Sequence, residues 1–265
     1  MMKALRIKIY QPTAHYRMPF TYQRRHTYPI PPYSTIIGFL SNMLGIYDQE
    51  NELFHKIQSC KLSISGKFNI KLTEYIWFRN LNKKSHETYF GSATIRKKNG
   101  EINHIGGQSP MRIDVLENMH LNIHIASEDP SFLDELKNCL KNPVNRLETI
   151  HIGRAEDWLV FDSIELVDLI PSSKHKNYKH FFWIPQKIWV PESIEFDFER
   201  TQGLFYNLPT FATIKDYNKT FNRHAERSFK YLRSKLNDGA LTGINYLYDE
   251  KSDIPVFLAD LKLSN

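Results

Sequence analysis

Polar and apolar positions alternate from the start of the chain. Leu5, Ile7 and Ile9 interleave with Arg6, Lys8 and Tyr10, the period-two pattern of a half-buried strand over residues 4–10. Residues 11–32 keep no period and are rich in Tyr, Arg, His and Pro, which predicts a long connector; such connectors are often functional. Pro31-Pro32 end it. Ile36, Ile37, Leu40, Met43 and Leu44 then recur at helical spacing, with Ser34 the expected N-cap and Gly45 the closing residue. Residues 60–66 and 69–78 read as strands with Lys67 near the turn. Segments 88–97 and 101–105 flank Asn99-Gly100, a hairpin signal, and Gly106-Gly107 follow as a flexible joint. Residues 119–126 predict a strand. Residues 130–140 predict a short helix with Phe132, Leu133, Leu136 and Leu140 inward.

The second half is richer in strand pattern, over 158–170, 180–190 and 194–199, with a final hairpin from 245–248 and 254–261. The stretch 217–236 supports two readings. Tyr217, Phe221, Ala225, Phe229, Leu232 and Leu236 fit a helix, whereas the run Phe229 to Arg233 fits a strand. No internal repeat or low-complexity segment interrupts the chain. A β-α-β-β beginning followed by α-β predicts an α+β fold with a ferredoxin-like or RRM-like core and insertions. One domain over 1–265 is expected, with a β-hairpin inserted at about 83–112 and a β-rich portion from about 180.

Composition narrows the function classes. At 41% hydrophobic and 24% charged residues, the chain of 265 residues can bury a core and is not disordered. Its two cysteines, Cys60 and Cys139, make neither a disulfide framework nor a zinc site by themselves. No apolar run approaches the roughly 20 residues that span a bilayer, and the charged beginning is unlike a signal peptide. A reduced, cytoplasmic protein without a cofactor, a metal or a membrane partner is expected.

The net charge of +6 is unevenly placed. Lys3, Arg6, Lys8, Arg17, Arg24 and Arg25 all precede the first acidic residue, Asp48. From Arg79 to Arg112 seven basic residues, including Arg96, Lys97 and Lys98, face only Glu87 and Glu101. Two basic segments on an otherwise balanced chain point to a polyanion, and the expectation is that they converge in space on one strand. Solvated basic loops would give the same count.

Three segments could carry chemistry. In the first, Arg17, Arg24, Arg25, His26 and Tyr28 precede Ser34, Thr35 and Gly38 at a helix start, where free N–H groups and hydroxyls suit phosphate; a plain capped helix is the alternative. In the second, Arg96, Lys97 and Lys98 sit at the hairpin tip with Tyr89 and Phe90 along it and Arg112 at its base, suited to stacking bases or, alternatively, to protecting an edge. In the third, Gly153-Arg154-Ala155-Glu156-Asp157, Arg154 could be aimed at a phosphate by Glu156 or Asp157, or could close a local ion pair.

Together these segments resemble the Cas-five family of CRISPR-associated Cascade subunits in the RAMP superfamily, with closest similarity to its subtype I-B branch. The strand 4–10, the run from Tyr28 through Pro31-Pro32, Ser34, Thr35 and Gly38 to Leu40, the run Ile152 to Asp157 and the ending Ile254 to Leu258 carry it. The resemblance implies a modified RRM-like fold with a β-hairpin thumb near 83–112. It also implies a role: capping the 5′ handle of the CRISPR guide RNA and linking the Cascade backbone subunits to the large subunit, with target DNA met indirectly. Handle contacts would map onto Ser34, Thr35 and Gly38. The glycine-rich loop common in RAMP endonucleases is thin here, at Asp238 to Gly243. Two other readings stay open. His26 or His104 with nearby lysines could cleave precursor RNA without metal, or the basic face could meet acidic protein in a structural adaptor.

Overall fold

The computed structural model of the chain describes residues 2–19, 21, 24–79, 97–98, 101–102, 108–173, 176–192, 194–214 and 227–261. In chain order its elements are β1 (Met2–Ala14), β2 (Arg24–Arg25), α1 (Tyr33–Met43), α2 (Glu52–Ser59), β3 (Lys61–Lys67), β4 (Ile70–Arg79), β5 (Lys97–Lys98), β6 (Glu101–Ile102), β7 (Gln108–Ala126), α3 (Pro130–Lys141), β8 (Val160–Ser172), β9 (Lys176–Asn177), β10 (Phe181–Pro185), β11 (Leu204–Ile214), β12 (Arg227–Asn237), β13 (Ala240–Leu241), β14 (Tyr246–Asp249), β15 (Ile254–Val256) and β16 (Ala259–Asp260).

Alternation in β1 has its expected consequence. Leu5, Ile7 and Ile9 are fully buried on one face and join Leu62, Ile64, Leu121, Ile123 and Ile125 in the main core. The helices cover this face. Ile36, Leu40 and Met43 come from α1, Phe132, Leu133, Leu136 and Leu140 from α3. The sheet order β3-β7-β1-β8, each neighbour antiparallel, is that of the β-α-β-β-α-β ferredoxin-like core. The α+β expectation therefore holds. β10, β12 and β11 extend the sheet beyond β3, and β14 and β15 extend it beyond β8.

The opposite face of the core sheet is polar and buried. Arg6, Ser63, Ser65, Asn122 and His124 lie there, all nearly inaccessible. The Arg6 guanidinium donates to Asp249 (3.0 Å) and Ser252 (2.6 Å) and pairs with Glu165. His124 Nε2–H donates to Asp249 at 3.0 Å. Burial pushes the Asp249 carboxyl up, but His124 and Arg6 outweigh it and hold it well below the usual carboxylate range. Phe182, Ile184, Tyr246, Tyr248, Ile254 and Phe257 form a second cluster from the C-terminal strands. Arg6, counted among the amino-terminal basic residues, is thus internal structure rather than surface charge.

Several expected elements differ. β1 runs on to Ala14, since its ladder with β7 continues to Leu116. Ser34 is not the N-cap: Pro32 is, extended at φ −70°, and no side chain caps the helix. Gly45 does close α1, at φ 74°, with Gly45 N–H donating to the Asn42 carbonyl and Ile46 N–H to that of Ser41. No element is expected from the pattern over 47–59, yet α2 forms there, capped by the Asn51 side chain. The strand expected at 119–126 reaches back to Gln108 through Asn118, which takes φ 53°, a conformation asparagine tolerates. Over 180–190 the strand stops at Pro185. Residues 194–199 are not a strand, because the Phe198, Glu199 and Thr201 carbonyls turn to the buried Lys235 ammonium instead of a ladder. In 217–236 the strand reading holds for the described part, β12, whose Leu232, Ser234 and Leu236 alternate inward. β11, which no expectation covered, pairs with it.

Buried His15 and His124 and half-buried His180 make the fold acid-sensitive. Burial, then the Lys67, His120 and Lys8 charges, holds His180 down at about 4. Burial likewise lowers His124, against the pull of Asp249, and lowers His15. The unfolded chain takes up these protons near 6.5, before the folded chain does, so stability is complete above that pH and declines as pH falls toward 4. The melting temperature should drop between pH 7 and 4.5, less steeply in His180→Asn. A melting temperature flat across that window would contradict the assignment.

Candidate nucleic-acid interface

A two-stranded ribbon leaves the core sheet. Its arms are β4 and the first half of β7, in register from Ile70 opposite Glu117 to Arg79 opposite Gln108. β5 and β6 pair Lys97 with Ile102 and Lys98 with Glu101, as a hairpin around Asn99-Gly100 requires. The expected contacts Arg96, Tyr89, Phe90 and His104 and the joint Gly106-Gly107 lie outside the described residues; for Lys97 and Lys98 the backbone alone is described.

The amino-terminal basic segment packs on the base of this ribbon. After β1, Arg17 bridges to Thr27, and β2 runs parallel to β7 with Arg24 beside Arg112 and Arg25 beside Ile113. The two basic segments therefore meet. A buried carboxylate, Asp114, holds the junction: Thr73 Oγ1 donates at 2.9 Å, His26 Nδ1–H at 3.0 Å and the Arg24 guanidinium at 3.5 Å, with the Lys71 ammonium 3.9 Å away. Burial raises the Asp114 carboxyl, but the Thr73 and His26 hydrogen bonds and the Arg24 and Lys71 charges outweigh it and keep it lowered. One carboxylate faces Arg24 and Lys71, while Arg17 and Arg112 are exposed beside them, so the surface stays cationic.

The helix-start residues join a different partner. Ser34, Thr35, Gly38 and Asn42 of α1 line a cleft of about 430 Å³ whose other wall is Leu147, Glu148, His151, Ile152 and Gly153. Its lining mixes hydroxyls, an amide, the His151 imidazole and the acidic Glu148 with the apolar Phe39, Ile46, Leu147 and Ile152, and holds no lysine or arginine. Beyond its chain neighbours and the backbone of its own helix, no described atom lies within 4 Å of where a Cβ on Gly38 would stand. Among the described residues nothing pairs with His151 Nδ1. Two runs more than a hundred residues apart in the chain thus form one depression.

Asp157 builds the second wall. Its buried carboxylate accepts from His15 N–H (3.0 Å), Arg154 N–H (2.8 Å), the Thr13 hydroxyl (3.3 Å) and the Arg154 guanidinium (2.8 Å). Gly153, at φ 108°, lets the turn close; a Cβ there would stand 2.8 Å from both the Asp157 carboxylate and the His15 carbonyl. His15 Nδ1–H in turn donates to the Asp114 carbonyl at 2.7 Å. The cleft and the cationic ribbon base are therefore neighbours through His15.

Two expected contacts sit elsewhere. Tyr28 is buried, edge-on to Trp183 and Tyr206, because the returning connector drives it into the core. Arg154 is turned to Asp157, with Glu156 at 3.4 Å and Glu74 at 3.6 Å, so its fork holds the loop. Sequence reasoning missed Lys71, Thr73 and Asp114, which only the β4–β7 register brings together, and Tyr75 and Trp77 on the same arm. The alternation of 69–78 was the available signal for the last two.

A ferredoxin-like α+β core with a cationic β-ribbon defines the class of molecule. The chain belongs to the family described as CRISPR-associated protein (Cas_Cas5), which matches residues 4–234. Among solved structures, a chain of a "CRISPR RNA-guided surveillance complex" is similar over 91% of both chains at 10% identity and TM-score 0.54, which shows a shared fold. A "Crystal structure of Cas protein" aligns over 96% of this chain and 98% of its own at 12% identity and TM-score 0.46. A "CRISPR protein from Archaeoglobus fulgidus" aligns over 97% and 99% at 11% identity and TM-score 0.41. No curated protein matches the chain.

Replacing Asp157 with Ala strands two N–H groups, those of His15 and Arg154, and takes from the Arg154 guanidinium its nearest carboxylate, leaving only the looser Glu156 and Glu74. A loss of about 3–5 kcal/mol in urea unfolding is expected, and a change under about 1 kcal/mol would mean the loop does not depend on this carboxylate.

Proposed function

We propose that this protein serves CRISPR defence as a non-catalytic subunit of an RNA-guided complex, capping the 5′ handle of the guide RNA and linking backbone subunits to the large subunit. The observation that carries the reading is the adjacent pair Arg24 and Arg112 at the ribbon base. Like charges held side by side repel, and a phosphate chain running past them relieves that repulsion. Family membership supports the CRISPR context.

The handle would run from the ribbon base, where Arg17, Arg24, His26 and Arg112 face its phosphates, past His15 into the cleft of Ser34, Thr35 and Gly38, while Arg25, beside the buried Ile113, alternates to the other face. Gly38 supports this route. A glycine inside a helix costs up to about 1 kcal/mol relative to alanine, and no neighbour within the chain explains it. An approaching ligand does. Single-stranded RNA is read by shape and base edges, which suits a cation-free cleft that sets hydroxyls and an amide among apolar side chains.

Three measurements test the reading. Log affinity for handle RNA should fall with log salt by about 0.7 per neutralised phosphate. Arg24→Ala or Arg112→Ala should each reduce that slope by about one phosphate's worth. A flat salt dependence would remove the cationic face from the site. Gly38→Ala should raise the melting temperature yet weaken binding, and unaltered binding would exclude the cleft. Incubation with repeat RNA in EDTA should give no specific cut; a cut lost in His26→Ala would favour the nuclease reading.

A further inference from the structure

On β4, Thr73, Tyr75 and Trp77 alternate to one face of the ribbon, the face that carries Asp114. Tyr75 is 61% exposed and Trp77 60%. Their rings meet edge-on with centroids 6.4 Å apart. Single exposed apolar residues need no explanation, but two large rings side by side on a sheet form a patch that usually marks a contact. Their setting is cationic. Tyr75 lies opposite Arg112 and Trp77 opposite Pro110, and Arg112 lies beside Arg24 across the next strand. One row across three strands therefore reads Tyr75, Arg112, Arg24, with Lys71 and His26 one row away around Asp114.

We infer that this face is a stacking platform for single-stranded RNA, with successive bases on Tyr75 and Trp77 and the intervening phosphates on Arg112 and Arg24. The inference rests on the RNA-binding reading above and adds where bases are held. The pairing of π faces with cations selects the occupant. An acidic peptide would satisfy the arginines and leave the rings in water, and an apolar protein surface would cover the rings and desolvate the Arg112 and Arg24 guanidinium groups. Single-stranded RNA offers both a flat face and a charge at each nucleotide. Stacking accepts every base, so this contact is tolerant of sequence.

The test uses the full chain and a fluorescein-labelled single-stranded RNA of about 12 nucleotides, within known single-strand site sizes. Tyr75→Ala and Trp77→Ala should each weaken binding about 10-fold, the scale of one lost base stack. The salt slope should not change, since no phosphate contact is removed. Melting temperature should hold, both side chains being exposed, and Trp77→Phe should recover most of the affinity. An abasic nucleotide walked along the RNA should at one position reproduce the Trp77→Ala loss and not add to it. If wild type binds RNA with the salt slope above and both alanine variants bind equally well, the platform belongs to another partner and this inference falls alone. If wild type binds no RNA, the functional reading falls and takes this inference with it.

Discussion

One strand carries both halves of the molecule. β7 pairs with β1 and β3 inside the core and with β4 and β2 in the ribbon. Because side chains alternate with period two, a slip of one residue in this strand would turn Ile123 and Ile125 outward and bring His124 and Asn122 into the apolar core. The same slip would carry Asp114 to the wrong face of the ribbon and separate it from Thr73 and His26. Register is strongly specified in the core by burial, and the continuous backbone through Asn118 passes that specification to the ribbon, which has little core of its own.

Three buried aspartates then set the polar architecture. Asp249 gathers Arg6 and His124 beneath the sheet, Asp157 closes the Gly153 turn on the end of β1, and Asp114 ties the connector to the ribbon. Each sits where apolar packing alone would leave a segment unanchored. Such carboxylates contribute modest net stability, since desolvation offsets most of the attraction, but they make alternatives costly by stranding a buried charge. In this chain they locate surface features: two of the three border the proposed RNA path, joined by His15.

The site is divided by chemistry. Cations and exposed rings lie on the ribbon base, while the cleft has no cation and sets hydroxyls, an amide, an imidazole and Glu148 among apolar side chains. Phosphates and base faces are common to all RNA, whereas base edges differ. On the proposed reading, a surface that grips on one side and reads on the other would separate affinity from selectivity. The polar face of the core sheet takes no part where the C-terminal strands bury it.

Local pattern determined much of this by itself. The alternation of residues 4–10, the helical spacing after Pro31-Pro32 and the inward face of residues 130–140 named the ferredoxin-like core, because burial of one face imposes a period that any reader can count. The charge skew and the hairpin signal at Asn99-Gly100 marked the basic segments. What the tertiary structure alone decided is which of those residues remain available. Arg6 reads as a surface cation and is held by Asp249, more than two hundred residues away, and the local Arg154–Asp157 pair that the sequence offered is the one that forms. Tyr28 reads as a stacking ring and fills the core, and Ser34 reads as a cap and lines a cleft instead. Composition counts charges and rings, but their use depends on partners brought by long-range pairing, and β-sheet register couples residues whose separation along the chain carries no local signal.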